Sequence, residues 1–258
     1  MRSLYREKKY ICNEYLEVDI FPVFEYQKSR GRKRKPTSEV QRRLNRRNSE
    51  RKLIRLLNTN FTNKDIRFDL TYSPENIPES PERAQREMQN FLRRVKRYCM
   101  HNGLPELKYV AVTECGKRSG RIHHHIVMNG GIDVSVLSEI WGRGYTTAKP
   151  LRFDDTGIVG IAKYLIKDPV LSKRWCASRN LKQPKESTRD GRVSQKKAKE
   201  IYLTEHACRA EIEKLYEGYT LSEINTYENG YNAGYYITLI LRKRQQKPRT
   251  GRGERSCR

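Results

Sequence analysis

Apolar and polar positions alternate along residues 64–73, with Ile66, Phe68, Leu70 and Tyr72 on one side, which predicts a half-buried strand. Pro74, Pro78 and Pro81 break that pattern, and Ser80-Pro81-Glu82 opens a helix with a capping serine and a first-turn proline. Met88, Phe91, Leu92, Val95 and Tyr98 then recur at helical spacing to about His101, where Asn102-Gly103 is a C-terminal signal. A strand follows at Leu107–Glu114, then a basic turn from Gly116 to Gly120. The apolar-ended run Ile122-His123-His124-His125-Ile126-Val127-Met128 closes at Asn129-Gly130-Gly131. Two strands joined this closely form an antiparallel hairpin. Downstream, Asp133–Gly142 is a short capped helix and Ala148–Phe153 a strand. Thr156–Asp168 is a helix stopped by Pro169, with Ile158, Ile161, Ala162 and Leu165 on its apolar face.

The flanks are harder to read. Residues 1–27 show one strand-like run, Tyr15 to Phe24. From Lys28 to Arg51 arginine and lysine dominate, and a helix is expected from about Thr37, with Leu44, Leu53, Ile54, Leu56 and Leu57 as its apolar contacts. Lys173 to Arg192 is basic and polar, a helix is expected at roughly 194–216, and Ile237–Leu241 is strand-like. This divides the chain into a basic N-terminal extension (1–60), a core (61–170), a C-terminal α/β extension (171–241) and a basic tail (242–258) expected to be disordered.

Charge narrows the partners. The 258 residues carry a formal +24, which points to a polyanion, most simply nucleic acid. The N-terminal residues are charged rather than apolar, and no apolar run of about eighteen residues occurs, so neither a secretory signal nor a membrane span is expected. Six scattered cysteines without a C-x-x-C pair fit reduced thiols in the cytoplasm of a bacterial host rather than a zinc ribbon. No phosphate-binding G-x-x-x-x-G-K-[ST] loop is present, so no nucleotide motor is expected. Lys28, Arg30, Arg32, Lys33, Arg34, Lys35, Arg42, Arg43, Arg46 and Arg47, with Arg121 beside the histidines, are the candidate DNA contacts. A solvated charged face is the plainer alternative for the run.

Chemistry concentrates in the second strand of the hairpin. Alternate side chains of a strand share a face, so His123 and His125 point together and His124 points away. Two imidazoles on one rigid face make half of a metal site, and Glu114 near the turn can stand beside them across the ladder. A chance histidine cluster and a surface glutamate are the alternatives. Such ligands suit Mg²⁺ or Mn²⁺ polarising a phosphoryl oxygen. On the helix before Pro169, Gly157, Gly160, Tyr164 and Lys167 share a face, where missing bulk leaves room for something large. Tyr164 is the candidate nucleophile and Lys167 its electrostatic helper, giving a phosphotyrosine. The tyrosines of the tail can stack on bases, although core packing explains most of them.

These pieces resemble the HUH endonuclease domain of rolling-circle replication initiators. Phe68-Asp69-Leu70-Thr71-Tyr72, His123-His124-His125 and Tyr164-Leu165-Ile166-Lys167 match its three motifs in order, over residues 64–168. Two departures stand out: His124 replaces a hydrophobe, and Gly160 and Asp168 occupy the positions of a second tyrosine. The resemblance implies an α+β fold whose central antiparallel sheet is flanked by helices. It further implies nicking of single-stranded origin DNA, a 5′-phosphotyrosine and a 3′-OH primer, with host helicase and polymerase as partners. A transposase or relaxase of a mobile element is the alternative within the superfamily. A non-catalytic basic nucleic-acid-binding protein is the alternative outside it. Oligomeric state is not legible.

Overall fold

A computed structural model describes residues 4–24, 39–116, 120–165, 175–229 and 234–244. In chain order its elements are β1 (Leu4–Cys12), β2 (Tyr15–Val23), α1 (Glu39–Asn60), β3 (Ile66–Leu70), α2 (Pro81–His101), β4 (Tyr109–Cys115) and β5 (Ile122–Met128). They continue with α3 (Val134–Trp141), β6 (Thr146–Pro150), α4 (Val159–Leu165), β7 (Cys176–Ala177) and β8 (Lys185–Asp190). The last are α5 (Gln195–Thr204), α6 (Arg209–Leu215), β9 (Tyr219–Asn229) and β10 (Gly234–Lys243). The protein is α+β, with antiparallel sheets flanked by helices, consistent with an HUH endonuclease-like fold.

There are two five-stranded sheets among the described residues rather than one. The first runs β6-β3-β5-β4-β7 and the second β8-β1-β2-β10-β9. Helices and sheets alternate in layers because each sheet has two apolar faces. On one side of the first sheet, Phe68, Leu70, Ile126 and Met128 pack against Met88, Phe91, Leu92 and Val95 of α2 and Leu137 and Trp141 of α3. On its other side, Val110, Val112 and Val127 meet Leu53, Ile54, Leu56 and Leu57 of α1 and Val159 and Ala162 of α4. The same cluster includes Tyr10, Cys12, Tyr15 and Ile240 of the second sheet, so α1 is shared between sheets. The far face of the second sheet packs Leu16, Val18, Ile20, Ile237, Leu239 and Leu241 against Ala198, Ile201 and Ile212 of α5 and α6.

An ion cluster fixes the shared helix on the second sheet. Arg55 grips Glu17 with two hydrogen bonds, of 2.8 and 2.9 Å, while Arg51 bridges Glu17 and Asp19. Burial pushes the Glu17 carboxyl up, but the hydrogen bonds and charges of Arg55 and Arg51 win and hold it below the usual range.

The core reads as the periodicity predicts. Ser80 caps α2 by accepting from the Arg83 amide, and α3 ends at Gly142 in the left-handed region at φ 57°. The flanks depart from the expectations. Residues 4–24 hold two strands, not one, because β1 hides its pattern: Glu7, fully buried, is held by Arg192 and by Tyr216, whose hydroxyl donates to it over 2.7 Å. The basic polar stretch after Lys173 contains β7 and β8, both edge strands, and β8 is polar because one side of it is open. The helix expected at 194–216 is broken by a 3₁₀ turn, Glu205–Cys208, and β9 was not expected at all. α4 begins at Val159, so Gly157 precedes the helix instead of lining it. Its φ of 79° and the Asn58 side chain, which a Cβ would strike, both require glycine there. The tail from residue 245 lies outside the described residues.

Candidate metal and nucleophile site

Register builds the site. In β5, Val112 and Asp69 flank His125 from the neighbouring strands, and Glu114 lies opposite His123. Asp69, Glu114, His123 and His125 therefore share the face that α1 and α4 cover, while Phe68, His124 and Ile126 share the opposite one. Asp69 Oδ1 lies 2.7 Å from Nδ1 of His125, and Glu114 Oε2 lies 3.2 Å from its Nε2. Arg67 holds the other Asp69 oxygen at 2.6 Å. Burial alone would raise the Asp69 carboxyl, but hydrogen bonds from His125 and Arg67 overcome it and keep the group ionised. Half-buried His123 is pushed down by burial first and then by His125, so its imidazole is biased to the neutral form that ligates metals.

His124 is a different kind of residue. It is fully buried, its Nε2 2.8 Å from the Tyr72 hydroxyl and its Nδ1 3.0 Å from Thr113 Oγ1. Its ring meets those of Tyr72 and Trp141 edge-on. Burial, then the charges of His125 and His123, push it down to about 3. With both nitrogens engaged on the far side of the sheet, His124 does not compete as a ligand. Tyr72 is equally enclosed, and burial raises its hydroxyl, so it is not poised as a nucleophile.

Tyr164 belongs to α4, on the same side of the sheet as the two imidazoles. Lys167 lies outside the described residues, as do Lys28, Arg30, Arg32, Lys33, Arg34 and Lys35. Gly160 is exposed, and a Cβ there would meet nothing. Arg42, Arg43, Arg46 and Arg47 are exposed on the first turns of α1. Arg121 is exposed and lines a cleft of about 120 Å³ with His123, Thr71 and Tyr145. The sequence alone suggests no role for Asp69, although it faces the same way as the imidazoles and stands next to His125. Nor does it reveal the basic wall beside the site. There Arg67, Lys149 and Arg152 line an open groove of about 520 Å³ running to Gly160 and Ile161 of α4.

The donor set fits a divalent cation. It offers two imidazoles and a carboxylate, and one imidazole is oriented by a second carboxylate through its other nitrogen, the usual support of a ligating histidine. Among the described residues no three such side chains are already gathered to hold a metal. A cation would therefore separate Glu114 from His125.

These features define a class: an antiparallel sheet with paired histidines and carboxylates on a face overlaid by a tyrosine-bearing helix. Residues 66–169 match a family model of replication-associated proteins, the ORF2 type. The match runs from β3 through α4, taking in every element of the site, and covers less than half of the chain. No curated protein matches the chain, and no solved structure does. No helix among the described residues is long and apolar enough to cross a membrane.

Proposed function

We propose that this protein initiates rolling-circle replication by nicking single-stranded origin DNA with Tyr164. The observation that carries the reading is His125, fixed between Asp69 and Glu114 beside His123, on the sheet face covered by the helix that bears Tyr164. The match to a replication-associated family over the same elements supports it.

A bound Mg²⁺ or Mn²⁺ would supply charge neutralisation and polarisation at the scissile phosphate. His123, His125 and Glu114 would hold it, and Asp69 would keep the His125 tautomer that leaves Nε2 available. Arg67, Lys149 and Arg152 would position the strand's phosphates along the groove. The Tyr164 phenolic oxygen attacks phosphorus, the bond from phosphorus to the 3′-oxygen breaks, and the phenolic proton is lost to solvent. The 3′-oxygen takes up a proton and becomes a primer end, while the 5′-phosphate stays on tyrosine. Lys167 stabilises negative charge as it develops. Host helicase and polymerase would then extend the primer, because the chain carries no nucleotide-binding loop of its own.

The test is to incubate the protein and Mn²⁺ with labelled single strands from its replicon and map any adduct by mass spectrometry. A DNA-linked peptide containing Tyr164 is expected, and Tyr164→Phe should abolish it. An adduct that persists in that variant would overturn the assignment.

A further inference from the structure

The second sheet carries a feature that nicking does not use. On the face turned to α1, β2 presents Glu17, Asp19 and then Phe21, with alternate residues Leu16, Val18 and Ile20 buried on the other side. Asp19 is opposite Thr238 of β10, so Phe21, two residues on, comes level with Tyr236. Tyr236 is opposite Tyr227 of β9, and these rings stack with centroids 4.7 Å apart and planes 9° from parallel. An aromatic row thus crosses three strands. Tyr227 is 50% exposed, and Phe21 and Tyr236 are half-buried.

Above this row stands the first half of α1. Arg47, Arg51 and Arg55 recur every fourth residue along one side of the helix. Arg55 and Arg51 meet Glu17 and Asp19, but the strand offers no carboxylate level with Arg47, only the ring of Phe21. Burial and Tyr236 raise the Tyr227 hydroxyl while Arg47 pulls it back, so Arg47 is within electrostatic reach of that ring. Residues 41–48 are exposed on every side of the helix, and the exposed Arg42, Arg46 and Arg47 lie there. Arg43 is shared with Glu39. An uncovered helix of this kind gains nothing from packing.

Buried aromatics would be core, and lone surface tyrosines would mean little. Aligned rings on an open sheet face, roofed by arginines, match what unpaired nucleic acid offers: flat bases to stack and phosphates to neutralise. A duplex hides its base faces and could not use the row. We propose that Phe21, Tyr236 and Tyr227, with Arg47 above them, form a second site that binds single-stranded DNA by stacking, apart from the histidine face. The inference does not depend on Tyr164 chemistry.

The experiment uses the full chain in chelator, where no nicking can occur. A bromodeoxyuridine-substituted single strand is photocrosslinked to the protein, and its affinity is measured by fluorescence anisotropy. Crosslinks are expected in the peptides holding Phe21, Tyr227 or Tyr236. Tyr227→Ala with Tyr236→Ala should weaken binding by about tenfold or more, as base–aromatic stacking predicts. Tyr227→Phe, which keeps the ring, should stay within about twofold, since stacking needs no hydroxyl. Crosslinks confined to the histidine sheet, or a double variant that binds as the parent does, would overturn the proposal. A duplex that binds as tightly as the single strand and loses as much in the double variant would also overturn it. Circular dichroism of the double variant guards against a folding loss, and the Phe variant provides a second, non-disruptive reading.

Discussion

Asp69 and His125 form a carboxylate–imidazole pair, Oδ1 to Nδ1 at 2.7 Å, which leaves His125 one nitrogen to offer to the solvent side of the sheet. Asp69→Asn should therefore loosen the ring and its tautomer without removing a ligand. Mn²⁺ affinity, measured by calorimetry, should fall about 10–100-fold. His123→Ala and His125→Ala should lose cleavage altogether while retaining most DNA affinity. An Asp69→Asn protein with parental Mn²⁺ affinity would remove Asp69 from the site.

His124 should behave as a core residue. His124→Leu leaves the Tyr72 hydroxyl and Thr113 Oγ1 without their buried partner, at a cost of about 1–3 kcal/mol. Denaturant melts should register that loss, and Mn²⁺ binding should not change. If the variant kept its stability but lost the metal, the register at β5 would be wrong.

Tyr164→Phe deletes a single oxygen, so the fold and DNA binding should persist while the covalent adduct disappears. Lys167→Ala should slow nicking by about 10²-fold or more if its charge acts in the transition state, yet still permit the adduct. Single-turnover gels separate these outcomes. A bulky residue at exposed Gly160 should impair nicking at the groove without unfolding α4, since open space surrounds it.

The arginines of α1 should divide by position. Replacing Arg42, Arg43, Arg46 and Arg47 with glutamine should weaken binding to all DNAs alike, lowering the salt slope by about 0.7 for each single-strand phosphate no longer neutralised. Arg51→Gln should instead lower stability, because that side chain anchors α1 to Glu17 and Asp19. Loss of origin preference with general affinity intact would mean that the first four read bases.

Glu17 gives the pH dependence. Its folded-state pKa is depressed, so its contribution is complete above the unfolded value of 4.5 and is lost as pH falls through the folded one. Glu17→Gln should cost about 3 kcal/mol at neutral pH, since it leaves two arginines partly unpaired. The variant's stability should then vary less below pH 4.5 than the parent's, as urea melts across that range will show. An unchanged acid limb would place the titrating group elsewhere.

Legibility followed burial. The strand and helix from Ile66 to His101 could be read because each buries one clean face, and proline, serine and glycine mark their limits. The pairing of His123 with His125 was legible for the same reason, since strict alternation decides which side chains share a face. The role of Asp69 was not, because it depends on which strand lies next to β5, and a sequence does not state its sheet order. β1 and β9 were hidden because their inward positions include charged or polar groups satisfied by distant partners, as Glu7 is by Arg192 and Tyr216. Tyr227 and Tyr236 could not be told from core tyrosines until their register was known.

The sharing of α1 between two sheets also constrains how the chain assembles. β2 finds its neighbour only when β10 has been made, with Asp19 and Thr238 joined across 219 residues. Until then the open edge of β2 and the underside of α1 have no cover, and closure must bring together the most distant parts of the chain. High contact order of this kind slows folding and prolongs exposure of an unpaired edge to other chains. During synthesis, the histidine sheet has its strands before the second sheet can close. A chaperone that meets the nascent protein would accordingly find its binding surface on β2 and α1, away from the nicking chemistry.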